Sequence, residues 1–474
     1  MARLFIVSNR VSVPTGAARR AGGLEVALKA TLNRRDVTWF GWSGGVKPKA
    51  EVETKTLRSG NTTYIVTDLS EEDYQEYYSG FANRVLWPIL HYRLDLAEFS
   101  RRDLSGYIRV NEQFADELSK VLKPDDIIWV HDYHYIPLAR ALRLRGHANR
   151  IGFFLHIPMP PPDILTALSH HEKLIPALAE YDLVGFQTHA DSANFSRYLA
   201  AECGFPNQWP APRAGRTQGM RVGVFPVGIA TEEFRKRAAG AADSDLVQRI
   251  RATIPGVLMI GVDRLDYTKG ITHRLEGFEH FLRAHEEWRG HVTFLQITPQ
   301  SRDDLPEYID MKHRIDGLAG EINARYGDVS WLPVRYINRT YSRLALAGFY
   351  RLARAALVTP LRDGMNLVAK EYVAAQDEED PGVLILSRFA GAATELKAAL
   401  LVNPYDAESV GTAIARALAM PLAERRSRHA ELFSALKEND IENWGERFIA
   451  ELVAGADGAP VPSLSAPPKA LSTG

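Results

Sequence analysis

At 474 residues, 46% apolar and 24% charged, the chain has the size and composition of a globular protein of about two to four domains. A formal net charge of -1 gives no field that would draw in nucleic acid or an anionic membrane, and the single cysteine, Cys203, excludes an intrachain disulfide. No apolar run reaches the roughly 20 residues of a membrane span, and the run in "MARLFIVSNR" is too short for a signal peptide, so the cytoplasm is the expected compartment.

In chain order, Leu4 to Val7 form a short apolar run that stops at Ser8-Asn9-Arg10. Gly22-Gly23 then precede Leu24, Ala27, Leu28 and Ala30 at near-helical spacing. Strand-like runs recur at 127–130, 151–155, 183–186 and 222–225, with amphipathic stretches at 111–122 and 136–145 between them. This β-α alternation predicts a parallel sheet covered by helices. The pattern restarts after "FPVGIATEEF" (225–234). Strands are expected within "GVLMIGVDR", "HVTFLQITP", "DVSWLPVRY", "AALVTP" and "GVLILS", and helices over 271–284, 304–325, 341–353 and 366–376. The fold class is therefore α/β, with two Rossmann-like domains, residues 1–228 and 229–435. A terminal helix, 436–453, is expected to pack back towards the first domain. The Ala-, Pro-, Ser- and Gly-rich tail 454–474 is expected to be disordered.

In open α/β sheets ligands sit beyond the carboxyl ends of the strands. The polar residues expected there are Arg10, Asp132, His156, Arg264, Arg302 and Asp363. Gly22-Gly23, between a strand and a helix, would let backbone N–H groups approach a phosphate, and fits a flexible loop end equally well. Arg264 and Lys269 in "DRLDYTKG" suit a diphosphate that gains charge as it leaves, with Asp266 available to pair with one of them. Asp132 can accept from hydroxyls or cap the next segment. His131 and His134 lack a third ligand at a zinc-like spacing, so no metal and no cofactor are expected. The aromatic stretch 76–92 suits sugar rings or core. Glu371 falls on the apolar stripe of its helix, where a carboxylate needs either a ligand's hydroxyls or an ion pair.

The stretches "SNRVSVP", "AGGL", "YYSGFANRVLWPILHYR", "DIIWVHDYHYIPLARALR", "RIGFFLHIPMP", "RLDYTKGI" and "TPLRDGMNLVAKEYVAAQ", in this order from about Leu4 to about Leu452, resemble the trehalose-6-phosphate synthase family. The resemblance implies the GT-B arrangement of two facing Rossmann-like domains. It also implies metal-independent transfer of glucose, with retention, from a nucleotide-glucose, usually UDP-glucose, to glucose 6-phosphate. By position, Arg10, Tyr78, Asp132 and Arg302 resemble acceptor-binding residues. Gly22, Gly23, Arg264 and Lys269 match contacts to the donor diphosphate. Asp363 with Gly364, Met365 and Asn366 matches contacts to the donor glucose, and Leu367, Val368 and Glu371 match the nucleotide end. Trp87 and His156 stand where the family shapes the sugar site, and Tyr341 stands near the donor base. Arg264, Lys269, Asp363 and His156 would carry the catalysis. Partners are then small-molecule substrates, with no nucleic acid and no membrane, and a homo-oligomer (dimer or tetramer) among the options. The loops 205–219 and 301–308 vary, which leaves UDP, GDP and ADP open as donor base. Rival readings are a different phosphorylated acceptor such as glycerol 3-phosphate, a pseudo-glycosyltransferase, and an inactive nucleotide-sugar sensor.

Overall fold

The computed structural model describes residues 3–11, 13, 36–204, 219–299 and 306–454. Gly22, Gly23, the expected helix after them, Arg302 and the tail from 455 lie outside the described residues.

Two sheets organise the rest. The first runs β3-β4-β2-β1-β5-β6-β7-β8, made of β1 (Leu4–Arg10), β2 (Val37–Lys47), β3 (Thr54–Ser59), β4 (Thr62–Ser70), β5 (Ile127–His131), β6 (Arg150–Phe154), β7 (Leu183–Phe186) and β8 (Arg221–Val224). The second runs β11-β10-β9-β12-β13-β14, made of β9 (Val257–Val262), β10 (Val292–Ile297), β11 (Val334–Ile337), β12 (Ala355–Val358), β13 (Val383–Ser387) and β14 (Leu400–Val402). All pairings are parallel except β3–β4. Helices cover the sheets, so central strands such as Phe5-Ile6-Val7 and Ala355-Ala356-Leu357-Val358 are buried throughout.

The strands add detail in two places. "DVSWLPVRY" contributes only its end, from Val334. Asp328 caps a turn by accepting from the Ser330 and Trp331 N–H groups, and Pro333 has no N–H to pair. The hairpin β3–β4, with Gly60 at φ 58°, and the glycine-rich β2 were not anticipated.

Six helices matter below: α1 (Arg101–Ser119), α2 (Ile271–Ala284), α3 (Arg343–Leu352), α4 (Leu367–Ala375), α5 (Leu422–Glu438) and α6 (Ile441–Ala454). The chain crosses between the sheets twice. At Gly228 a Cβ would lie 2.0 Å from the Asn439 carbonyl, so only glycine lets the two crossings touch. Lys370 of α4 donates to the Val227 carbonyl at 2.8 Å, and the Thr231 N–H donates to Asp440. Beyond the second crossing α6 lies on β6 and β7. Phe448 fills the space above Gly152 and Gly185 and stacks on Trp129 with centroids 4.6 Å apart. None of the described helices is long and apolar enough to cross a membrane.

Candidate active site

The carboxyl ends of both sheets meet, and backbone geometry does much of the work there. After β12 the chain turns through Pro360 to Asn366. Asn366, at φ 78°, takes a left-handed conformation that asparagine tolerates, and its side chain accepts from the Ala369 N–H to cap α4. Gly364 in that turn presses against the other domain: a Cβ there would sit 2.0 Å from the His156 carbonyl oxygen. On the opposite edge Asp132 follows β5 at φ 76° and accepts from the Tyr133 N–H (3.1 Å) and the His156 N–H (3.3 Å). It is therefore both a cap and a strand-end carboxylate.

On the second domain's side, β9 delivers Asp263 and then Arg264. Arg264 pairs with Asp266 at 3.1 Å, and its guanidinium lies 4.8 Å from the centre of the Trp87 ring, across the cleft. Asp266 is fully buried and also accepts from the Thr268 backbone and hydroxyl, which shapes the short turn ending at Lys269. Lys269 Nζ stands 2.5 Å from Asp363 Oδ2, which also accepts from Asn366 Nδ2 at 3.1 Å. Two residues 94 apart in sequence thus form one charged unit. The ammonium has three protons, so it can hold Asp363 and still face an anionic oxygen.

Along α4, Met365 is buried before the helix while Leu367 and Val368 keep part of their surface open. Glu371 pairs with Arg343 of α3 through Oε1 at 3.2 Å; Oε2 takes no hydrogen bond from the described residues. Burial raises its carboxyl above the ordinary value, with Arg343 opposing. The ion-pair alternative is therefore present, and one oxygen remains for a ligand. Tyr341 lies edge-on to Phe349 at 5.2 Å, with Arg339 over its face.

On the first domain's side, Arg10 is exposed and runs past Gly44, whose Cβ would meet its Nε at 2.8 Å, with Trp42 beneath. Tyr78 belongs to a run of i→i−5 turns, Tyr74–Leu86, closed by the Trp87 N–H bonding to the Ala82 carbonyl. Arg109 of α1 pins this segment through the buried Asp73 and Glu76. Tyr77 is buried and donates to Asn9, whereas Tyr78 stacks on His134 and keeps part of its surface open. His156 stands between Phe154 and Trp444; burial drops its imidazole to about 3, so the ring is neutral. Burial pushes Asp132 the other way, up to about 7, opposed in part by the Tyr133 and His156 N–H groups and then by Arg264. Among the described residues no group of three or more His, Cys, Asp or Glu side chains could hold a metal ion.

Several contributors were not legible beforehand. Arg274, fully buried in α2, donates to Asp263, Gln296, Thr359 and the Lys269 carbonyl, tying the ends of three strands to the Lys269 turn. Lys370 is buried and paired with Glu395. Arg362 lies between Tyr92 (4.1 Å) and Phe389 (5.2 Å), a second cation–aromatic contact between the domains, and Arg93 over Tyr267 is a third. A polar residue on a buried helix face is the one signal that would have singled out Arg274 and Lys370.

The model of glycosyltransferase family 20 matches residues 6–454. A trehalose-6-phosphate synthase of Sinorhizobium fredii is 52% identical over 465 residues, covering 96% of this chain and 99% of that protein. The solved α,α-trehalose-phosphate synthase (UDP-forming) of Burkholderia xenovorans, in complex with glucose-6-phosphate, superposes with a TM-score of 0.91 at 44% identity, over 95% of this chain and 100% of that one. An E. coli structure bound with UDP-2-fluoro glucose gives 0.89 at 45% identity, over 95% and 99%.

Proposed function

The chain belongs to glycosyltransferase family 20, and from that premise we propose that its site moves glucose from UDP-glucose to glucose 6-phosphate, releasing UDP and α,α-trehalose 6-phosphate. Its two facing domains are the GT-B architecture. What carries the reading is the meeting of the strand-end edges. Gly364 lies against the His156 carbonyl, Arg264 lies over Trp87, and Lys269 is locked to Asp363, all at one place.

In this reading the diphosphate lies against Arg264 and Lys269. Asp363 and the backbone of Gly364 to Asn366 hold the donor glucose, with Met365 buried behind. Leu367 and Val368 line the nucleotide end, where the free oxygen of Glu371 takes a ribose hydroxyl, and Tyr341 lies near the base. Arg10, Tyr78 and Asp132 receive the acceptor, beside Trp87. Gly22, Gly23 and Arg302 complete the inventory outside the described residues.

The donor's C1–oxygen bond breaks as the acceptor's C1 hydroxyl forms a new bond on the same face. The hydroxyl proton passes to the departing phosphate oxygen. No carboxylate is assigned as nucleophile: Asp363 is held by Lys269 and Asn366 beside the donor, and Asp132, whose Oδ1 accepts two backbone N–H groups, keeps its other oxygen for an acceptor hydroxyl. The side chains orient the two sugars and stabilise the charge growing on the diphosphate. We place the enzyme in the cytoplasm, as a monomer or a small homo-oligomer.

A panel of UDP-, GDP- and ADP-glucose against glucose 6-phosphate and glycerol 3-phosphate tests the assignment. The fastest turnover is expected for UDP-glucose with glucose 6-phosphate. Preference for glycerol 3-phosphate would replace the acceptor, and absence of turnover with every pair would favour a sensor.

A further inference from the structure

Behind His156, away from the residues assigned above, lies His131, whose side chain is completely buried. Its Nδ1 stands 3.1 Å from His156 Nε2. Both rings are neutral, since burial holds His131 well below the usual imidazole range and drops His156 to about 3. Two neutral imidazole nitrogens at that distance share one proton, and whichever nitrogen carries it determines the tautomer of both rings.

The far side of His131 settles the choice. Its Nε2 is buried and has no hydrogen-bond partner among the described residues. It lies in an aromatic pocket beside Trp129, 4.5 Å away between centroids, and Trp444, 6.2 Å away. The indole N–H groups of both tryptophans are also buried without partners. A proton on Nε2 would add a third unanswered donor to a pocket that already holds two, and buried donors without acceptors are rarer than under-used acceptors. A lone pair there leaves only an unused acceptor, the less costly of the two. His131 therefore carries its proton on Nδ1 and donates it to His156 Nε2. His156, only partly buried, is left with its proton on Nδ1, the nitrogen that remains for a ligand.

We propose that His131 is a positioning residue that locks His156 as the Nδ1–H tautomer, so that His156 offers the sugar a hydrogen-bond donor and not a base. This rests on the reading above that His156 lines the sugar site. The role resembles that of a buried partner fixing the tautomer of a working histidine through its other nitrogen.

Long-range 1H–15N correlation on protein labelled with 15N-histidine reads the tautomer directly, with His156 assigned by the signal lost in His156→Gln. The expected pattern is one protonated Nδ1 and one unprotonated Nε2 for His156 near neutral pH. Protonated Nε2 on His156 in the wild-type protein would overturn the proposal, whatever the variants do. In His131→Phe the His156 signals should move to a tautomer mixture, and kcat should fall roughly three- to tenfold, the scale of one hydrogen bond. His131→Asn, whose amide can donate from nearly the same place, should restore both. Rescue of neither, with the fold intact by melting, would also count against it. Adding UDP-glucose separates the two claims: a His156 signal that stays in place removes the sugar-site assignment and leaves the tautomer standing.

Discussion

Arg264 and Lys269 reach the same place from one strand-end loop, but they are held differently. Arg264 is half-exposed against Trp87, and Lys269 is mostly covered against Asp363. If both meet the leaving diphosphate, Arg264→Ala and Lys269→Ala should each lower kcat by roughly 30- to 1000-fold, about 2–4 kcal/mol, while the acceptor KM stays close to wild type. Steady-state kinetics with saturating donor check this, and wild-type turnover in both removes the assignment. Asp132 offers a pH test. Its carboxyl is raised to about 7 when folded, against about 4 when unfolded. The folded state therefore binds the extra proton, and Asp132 costs stability progressively as pH rises from about 4 to about 7. The lowered histidines His131 and His156 act in the opposite sense at the acid end, so the wild-type slope alone is ambiguous. The difference between wild type and Asp132→Asn isolates the carboxylate: the variant should gain in melting temperature above pH 7 relative to pH 5. Its acceptor KM should lose the improvement that wild type shows as pH rises through about 7. At Glu371 the two readings part cleanly. Glu371→Gln should raise donor KM roughly five- to thirtyfold if the free oxygen holds ribose, on a scale of about 1–2 kcal/mol. A lower melting temperature with donor affinity unchanged would assign it to the Arg343 pair alone. The positions of Arg264, Lys269 and Asp363 in loops after β9 and β12 were legible because an apolar run in β-α alternation marks where a strand ends. Arg274 was flagged by no more than a polar residue on a buried helix face; its partners, such as Thr359, 85 residues away, are set only by the fold.

Among the elements, strands and helices of the regular β-α units were the most readable. β7 and α2 lie where periodicity puts them, at Leu183–Phe186 and Ile271–Ala284. β2 was hidden by its glycines, and β3 by its exposed, polar run on the sheet edge. The i→i−5 segment Tyr74–Leu86 gives no periodic signal of its own, since its aromatic residues serve the core and the cleft together. α6 shows how an element's position follows from absences in others. Gly152 and Gly185 leave a trough in the first sheet, and Phe448 occupies it. Phe448→Ala should therefore lower stability by about 3–5 kcal/mol, the usual cost of emptying an aromatic core position. Chemical denaturation followed by fluorescence measures it, and a loss below about 1 kcal/mol would mean that α6 is not seated in that trough.

Seen whole, the molecule is two mostly parallel sheets joined by two crossings, and the carboxyl ends of their strands face each other along one line. Among the described residues, the arginine–aromatic contacts Arg264–Trp87, Arg362–Tyr92 and Arg93–Tyr267 span that line, all through residues 87–93 of the first domain. The two-domain plan was legible because the alternation restarts after residue 234; how the domains meet was not, since it depends on contacts such as Gly364 against His156. The central claim is that this cleft transfers glucose with retention by orientation and charge stabilisation. The most direct measurement is proton NMR of the products formed from UDP-glucose and glucose 6-phosphate after exhaustive EDTA treatment. The account predicts UDP and a single disaccharide phosphate with both anomeric protons in the α configuration, formed at the untreated rate. A β-linked product, free glucose in place of the disaccharide, or activity that returns only with one added divalent ion would contradict it.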